Sequence, residues 1–444
     1  MTFRVLNNVA RLVLLIALVC PLSAGAQDQD EFEPVVLTGQ TSSTSSCLSF
    51  KTALRLAAAN NPSVSIAQSD LEAARAGLTE AKSLRRPQIS VFTRSGIGDE
   101  GLVNSAIENQ IGLRASQRVF DFGDSRLAKE AAKQEILAKE SLVLSAEARA
   151  RLEAGLAYID WLDASERLMA TVERADYFSQ ELSALEIALE SGGATRSEVA
   201  EISAEGADAE ADRYELEFEQ QQAISRLRIS TRSDGLPCPD ARASVEKGVD
   251  VLSGGQTSQT YLSDALVGNA QVQALTRTAS KLDLEAERQS RSRLPVIEIV
   301  GISSLTTDRR FDGLEARERI GFDASVPIFT GSALSARTNR ARAEARRAEF
   351  RADEERKMLE EQVTSTHRRA LLLSAQLGRR QAVIEFRTVE FDAAQTGYEN
   401  NIRTLPEMVD IRLALEEARL AEIRTRHNYF RQGLTLKSLT GALQ

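Results

Sequence analysis

The sequence has little that could cross a membrane as a helix. Its one long apolar run, residues 12–19, is well short of the roughly 20 residues that a spanning helix needs. Arg4 and Arg11 come before that run, and the small residues 24–26 follow it. This order is typical of an export signal, so residues 1–26 are predicted to be a signal peptide. Any other membrane insertion would have to use β-strands, whose hydropathy signal is weak.

Residues that carry catalytic or metal chemistry are scarce. The only histidines are His367 and His427, each in a long helical stretch, so the sequence predicts no metal site and no nucleophile–base pair. Cys47 and Cys238 remain after removal of the signal peptide, in a compartment that permits disulfides. We expect a bridge between them; the alternative is two free thiols.

Phosphate-binding motifs are lacking too. Residues 252–256 (LSGGQ) spell the pentapeptide of ABC ATPases, but the chain has no Gly-Lys pair and hence no Walker A loop. A flexible connector explains these residues better. The net charge is −9, and −11 once Arg4 and Arg11 are removed, which argues against nucleic acid as a partner. The sequence therefore predicts no enzyme and no cofactor.

Two stretches, residues 111–120 and 320–329, alternate apolar and polar side chains with a period of two. In a strand this alternation gives one apolar and one polar face. The apolar positions are Ile111, Leu113, Ala115 and Val119 in the first stretch, and Ile320, Phe322, Ala324, Val326 and Ile328 in the second. The two stretches lie 209 residues apart and mark a duplication.

The pattern around these stretches predicts two similar halves, residues 48–230 and 263–444. A linker (27–47) precedes the first half, and an irregular connector (231–262) separates the two. Each half reads as helix, β-hairpin, very long helix, turn and helix. The predicted strands are 88–96, 107–119, 296–305 and 317–328.

The long helices dominate the helical part. Residues 125–190 and 332–396 contain no proline, and the first run would be about 100 Å long as a helix. Its apolar residues recur at spacings of seven, four and three, which indicates a coiled-coil seam. Asp124 is expected to cap this helix. Gly192 and Gly193 are expected to turn the chain into a returning helix, residues 197–228.

Four strands of membrane-spanning length cannot lie in lipid as an open sheet, because unpaired edge groups have no water to bond. They are also too few to close alone, since even a filled barrel needs about eight strands. Several copies are therefore expected to share one barrel with a wet interior. The residues predicted to line it are Glu108, Gln110, Arg114, Ser116, Arg118, Arg317, Arg319 and Asp323.

The ordered motifs resemble the TolC-like outer-membrane factors, the outer membrane efflux protein family. The carriers, spread over residues 48–441, are Ala53-Leu54, Asn61-Pro62, Pro87, Pro295, residues 119–121 (VFD), residues 326–329 (VPIF) and residues 398–410 (YENNIRTLPEMVD). The resemblance implies a mostly α fold with a membrane β-barrel. Three identical chains would form a twelve-stranded β-barrel continuous with a twelve-helix periplasmic α-barrel, whose far end is gated.

The resemblance also implies a function and partners. The chain would be the outer-membrane exit duct of a tripartite efflux pump or a type I secretion system, reaching into the periplasm. Its partners would be a periplasmic adaptor (membrane fusion) protein, an inner-membrane RND pump or ABC exporter, and outer-membrane lipid. Whether drugs or proteins are exported stays open. The alternative from another class is a soluble periplasmic coiled-coil adaptor or scaffold.

Residue roles at the gate follow from the same resemblance. Tyr398 and Arg403 match side chains that latch the closed tip, with Ser197 and Glu198 as acceptors. Glu407 and Asp410 match an acidic ring at the tip entrance. The alternative for these two is that a helix N-terminus favours acidic residues. Pro406 departs from the family pattern and puts the local latch geometry in question.

Overall fold

The computed structural model describes residues 47–99, 105–239, 241–250, 255–307, 314–400 and 402–443. The predicted signal peptide, the linker before Cys47 and part of the LSGGQ segment lie outside the described residues. The described chain is mostly helical with four β-strands.

The first half begins with two helices, a β-hairpin and two longer helices. These are α1 (Phe50–Asn60), α2 (Pro62–Ser83), β1 (Gln88–Asp99), β2 (Ser105–Phe120), α3 (Asp124–Glu190) and α4 (Arg196–Thr231). The break before α2 falls at Asn61, and Pro62 takes the first helical position, where a missing N–H costs nothing. The Asn61 side chain accepts the backbone N–H of Ser63 at 2.9 Å.

The cap of α3 differs from the expectation. The Asp121 carboxylate accepts the backbone N–H groups of Gly123 at 3.1 Å and Ser125 at 2.9 Å. Asp124 is itself helical, and its carboxylate pairs with Arg118 at 3.2 Å and Arg288 at 2.9 Å. The prediction that Asp124 caps α3 was therefore wrong. Asp121, three residues earlier, caps the helix instead, because its carboxylate reaches backbone N–H groups that have no partner within the helix.

The connector contains α5 (Ala241–Val249) and the start of α6 (Ser258–Gly268). The second half continues with α7 (Ala270–Arg291), β3 (Val296–Thr307), β4 (Leu314–Ser325), α8 (Ala333–Glu399) and α9 (Leu405–Leu439). The strand predicted at 317–328 instead spans 314–325. Pro327 cannot donate a ladder hydrogen bond, so pairing stops before it. As a result, Val326 and Ile328 lie outside the sheet.

The four strands form one antiparallel sheet in the order β1-β2-β3-β4. Its apolar face is open, with Ile89 72% and Phe322 74% exposed. On the opposite face, Gln110 donates to the Ser304 hydroxyl at 2.8 Å. Gly112 permits close strand packing there, because a Cβ would lie 2.7 Å from the Ser303 carbonyl oxygen.

Two compact units divide the described chain. Residues 75–133 and 281–345 form the first unit, which holds the sheet and the adjoining helix ends. Residues 45–74, 134–280 and 346–444 form the second, which is helical. Within the described residues, no helix is long and apolar enough to cross a bilayer.

Among the described residues, the helical unit has three apolar clusters, and two of them are the larger. One surrounds the buried Tyr158 and includes Phe50, Val245 and Leu434 from α1, α5 and α9. The other joins the ends of the α3–α4 and α8–α9 hairpins, and it positions the candidate site.

Candidate functional site

The end of the α3–α4 hairpin is fixed by a capping box. The backbone N–H of Thr195 donates to the Glu198 carboxylate at 2.7 Å, and the Glu198 N–H donates to the Thr195 hydroxyl at 3.3 Å. This arrangement satisfies two otherwise unpaired N–H groups at the start of α4. Glu198, predicted to accept a latch bond, is thus held by its own helix end.

The end of the α8–α9 hairpin is built in the same way. The Glu407 carboxylate accepts the backbone N–H of Thr404 at 3.0 Å. That hydrogen bond lowers the pKa of Glu407. Pro406 sits in the first turn of α9, where no intrahelical donor is lost. The departure from the family pattern therefore does not disturb this helix start.

The two hairpin ends pack on a shared apolar cluster that includes Phe178, Ile202 and Leu405. Tyr177 packs against this cluster, and its hydroxyl donates to the Met408 sulfur at 3.3 Å. Two turns further along α9 lies the buried carboxylate of Glu416.

Arg412 links three helices beneath the hairpin ends. Its guanidinium lies 4.6 Å from the ring centre of Tyr177 on α3 and 5.1 Å from that of Phe391 on α8. It also pairs with the Glu416 carboxylate at 2.8 Å. Burial raises the pKa of Glu416, while the positive charges of Arg412 and Arg419 oppose the increase. Contacts of this kind hold both hairpins together within one chain.

Of the predicted latch residues, Tyr398 and Glu198 lie close enough to interact electrostatically. Burial raises the pKa of the half-buried Tyr398, and the charges of Glu181 and Glu198 add to the increase. Among the described residues, no hydrogen bond joins Tyr398 or Arg403 to Ser197 or Glu198. The backbone N–H of Arg403 instead donates to the Gly397 carbonyl at 3.1 Å. Ser197 is exposed.

The two acidic residues predicted to ring the entrance lie in the first two turns of α9. Glu407 and Asp410 are both exposed. They are three residues apart, so they lie on adjacent turns of one face. Glu407 also serves its helix as a cap, which matches the alternative reading for this residue.

Cys47 and Cys238 are joined by a disulfide. Leu48 supports this junction through backbone bonds, its N–H donating to the Leu236 carbonyl at 2.7 Å and its carbonyl accepting the Cys238 N–H at 3.2 Å. The buried Tyr158 hydroxyl donates to the same Leu48 carbonyl at 2.9 Å. The segment before α1 is therefore fastened to the segment before α5.

A charged cluster around Glu166 has no signal in the sequence, because its members come from α3, α5 and α9. The Glu166 carboxylate meets His427 Nε2 at 2.9 Å, Arg242 Nε at 2.7 Å and Arg426 at 2.9 Å. Burial alone would raise the pKa of Glu166, but the bonds from His427 and Arg242 outweigh it and bring the pKa to about 2. Glu166 thus ties α5 and α9 to α3.

The contacts at the hairpin ends and around Glu166 join helices of one chain. The Glu166 carboxylate pairs with two arginines and a histidine that fix it in place. In the part of the chain that the structure describes, no group of His, Cys, Asp and Glu is placed to hold a metal ion. An antiparallel four-stranded sheet with one exposed apolar face, in a chain with two long helical hairpins, defines the class of fold.

Comparison with known proteins agrees with this class. Residues 53–231 match the model of the family described as outer membrane efflux protein. This match over residues 53–231 confirms the resemblance to that family expected from the sequence. No curated protein matched the sequence.

Solved structures match over nearly the whole chain. The channel-forming CusC is 18% identical with a TM-score of 0.78, covering 88% of this chain and 92% of that one. The outer membrane protein VceC of Vibrio cholerae is 17% identical with a TM-score of 0.75, covering 88% and 96%. The Campylobacter jejuni CmeC outer membrane channel is 15% identical with a TM-score of 0.75, covering 88% and 85%. At these identities the likeness establishes the fold.

Proposed function

We propose that this chain is the outer-membrane exit duct of a tripartite efflux pump or type I secretion system. The observation that carries the proposal is the sheet, which exposes apolar side chains such as Ile89, Val91 and Phe322 on one face. Its opposite face holds charged pairs, including Arg114 with Asp323 at 4.0 Å. One lipid-facing and one water-facing surface is what a channel wall needs. The duct is passive, and its partners supply the energy.

We propose further that the two halves are copies of one unit. The long helices α3 and α8 each have 67 residues and begin at positions 124 and 333, which are 209 apart. The returning helices α4 and α9 begin at 196 and 405, with the same offset. Equal lengths and one constant offset support a duplication. We call residues that differ by 209 in number equivalent residues.

The sheet also supports a trimer. Within the described sheet, β1 and β4 each pair on one side only. An open edge in lipid is costly. Three copies joined edge to edge would give twelve strands, and the helices below would form a twelve-helix tunnel through the periplasm. A periplasmic adaptor and an inner-membrane RND pump or ABC exporter would complete the pathway.

We propose that the ends of the α3–α4 and α8–α9 hairpins form the gate of this duct. Glu407 and Asp410 would set the charge at its entrance, and Tyr398 and Arg403 would latch it against Ser197 and Glu198 of a neighbouring hairpin. Two observations support the gate: the four latch residues lie at the hairpin ends, and the charge of Glu198 reaches Tyr398. Both acidic residues of the entrance are solvent-exposed.

Cell fractionation tests the duct against the soluble adaptor. The mature protein should sediment with outer membranes and require detergent for release, because its sheet exposes apolar side chains. Recovery in the soluble periplasmic fraction without detergent would favour the adaptor. A variant with Ile89 and Val91 both replaced by Asn, which makes the lipid face polar, should lose membrane retention.

Ion selectivity tests the gate. Glu407→Gln combined with Asp410→Asn should reduce the preference for cations in single-channel recordings, because two charges per copy leave the entrance. Asp353→Asn is a suitable control, since Asp353 is exposed on α8 and pairs locally with Arg356 at 2.8 Å. Unchanged selectivity in the double variant would remove the acidic ring while leaving the duct intact.

A further inference from the structure

The seam between α3 and α9 inside one chain is polar. His427 on α9 meets Glu166 on α3 at 2.9 Å. One turn further along α9, Arg431 pairs with Asp163 at 3.0 Å. These residues are covered by the packing of the two helices, and His427 is fully buried.

The equivalent residues in the other half lie on open surfaces. Glu166 and Asp163 correspond to Ala375 and Leu372 on α8, while His427 and Arg431 correspond to Phe218 and Gln222 on α4. Phe218 is 68% exposed and Leu372 is 47% exposed, and the other two are exposed as well. The buried polar pairs of one half thus correspond to exposed, largely apolar residues in the other.

The two open faces lie on helices whose other sides are already occupied. The helix α4 packs on α3, where Gln220 donates to Ser165 at 2.9 Å and Arg174 pairs with Asp212 at 3.2 Å. The helix α8 packs on α9, where the guanidinium of Arg412 lies over the Phe391 ring. Within the helical unit the order is therefore α4, α3, α9, α8, with an uncovered face at each end.

We propose that α8 of one copy packs against α4 of the next, with Phe218 seated between Leu372 and Ala375 of the neighbouring chain. The proposal rests on the duplicated halves and the trimer proposed above. The new elements of the proposal are the contacting residues and their register. Between copies, Phe218 would meet Ala375 in the way that His427 meets Glu166 inside each copy. Burying Phe218 and Leu372 removes two large apolar side chains from water, which favours association.

Charge selects which helices pair. In the internal seam the long helix is acidic at Asp160 and the returning helix is basic at Arg426. The equivalent residues are Arg369 on α8 and Glu217 on α4, so both signs are reversed. Packing α8 against the α9 of another copy would bring Arg369 toward Arg426 and Arg431. The like charges of these arginines disfavour that arrangement. The face of α4 that carries Glu217 and Phe218 is acidic and apolar, so it favours packing against Arg369 of α8.

The experiment is crosslinking between copies in outer membranes. A chain carrying Phe218→Cys and Ala375→Cys, treated with a short bis-maleimide, should lose its monomer band to a covalent trimer. The native cysteines are in a disulfide and do not react. The matched control carries Phe218→Cys and Ala393→Cys. Ala393 lies on the same face of α8, but 18 residues away, about 27 Å along the helix. It should stay monomeric on denaturing gels.

Each outcome decides one claim. A covalent trimer from the first pair and not from the control supports the seam. The protein could instead be a trimer by mass in mild detergent and crosslink equally with both pairs, or only through Ala393. That result would overturn the seam and would not affect the proposed duct. A wild-type chain that is monomeric in mild detergent overturns the proposed trimer and the seam together.

A second pair guards against loss of folding in the first. Gln222→Cys with Leu372→Cys places cysteines at the positions equivalent to Arg431 and Asp163. It leaves Phe218 in place and should also give the covalent trimer. Failure of both pairs in a chain that remains trimeric by mass would overturn the register.

Discussion

At the scale of single residues, the largely buried carboxylate of Glu166 makes the clearest prediction. Its pKa is about 2 in the folded chain against an ordinary value of 4.5. Since the folded value is the lower one, its contribution is complete above about pH 4.5 and is lost as the pH falls toward 2. A shift of this size corresponds to a stabilisation on the order of 3 kcal/mol.

The variant Glu166→Gln should therefore be clearly less stable than the wild type at pH 7. The difference in unfolding free energy should shrink as the pH falls, because a protonated Glu166 resembles glutamine. Denaturant unfolding in detergent at several pH values measures this. A difference that stays constant from pH 7 to pH 3 would contradict the assignment of the shift to Glu166.

Gly433 carries a second prediction at this scale. A Cβ there would overlap the Val249 carbonyl oxygen at the end of α5. Gly433→Ala should lower the unfolding free energy by about 1–3 kcal/mol, because the packed backbone has to move. Gly378→Ala is the control, since nothing lies within 4 Å of its Cβ and alanine favours the helix by about 1 kcal/mol. Thermal unfolding of both variants compares them, and equal effects would refute the close contact.

The candidate-site residues show what sequence can and cannot supply at this scale. The capping roles of Glu198 and Glu407 are local, and both follow the pattern Thr-x-x-Glu, so a search for capping boxes would have found them. The Glu166 cluster could not be found in this way. Its partner His427 is 261 residues away, and only the folded helices bring the two together.

At the scale of elements, the Cys47–Cys238 disulfide joins the connector between the halves to the segment before α1. The two cysteines are 191 residues apart, so the bridge restricts a large loop in the unfolded chain. The double variant Cys47→Ser and Cys238→Ser should lose about 2–4 kcal/mol of stability. Because both thiols are removed together, no free cysteine remains to react.

Peptide mass spectrometry without reduction provides the direct check on that bridge. Wild-type protein purified from outer membranes should yield one disulfide-linked peptide pair that contains both cysteines. Recovery of both as free thiols would exclude the disulfide, whatever the stability of the variant.

Elements with a strong period were predictable, and short or interrupted ones were not. The proline-free runs predicted α3 and α8 to within a few residues, and alternation predicted all four strands. The end of β4 was missed because alternation continues through Val326 and Ile328, although Pro327 stops the pairing. The helix α5 has a visible signal in the spacing of Ala241, Val245 and Val249, but nine residues inside a Gly- and Pro-containing connector do not stand out.

At the scale of the whole molecule, the surfaces that one chain leaves open are those that the proposed trimer would cover. The sheet has two edges without partners among the described strands, and apolar residues such as Phe218 and Phe386 remain exposed on the helices. Both features are explained if copies join side by side. The strand pattern predicts that several copies close one barrel, and the number three comes from the family resemblance.

Electron cryomicroscopy of the detergent-solubilised full chain, reconstructed without imposed symmetry, tests the shared barrel most directly. We expect a threefold particle in which each chain contributes four strands to one closed barrel of twelve, around a continuous lumen. A particle in which the four strands of one chain close on themselves, or pack on helices as an ordinary small domain, would contradict it.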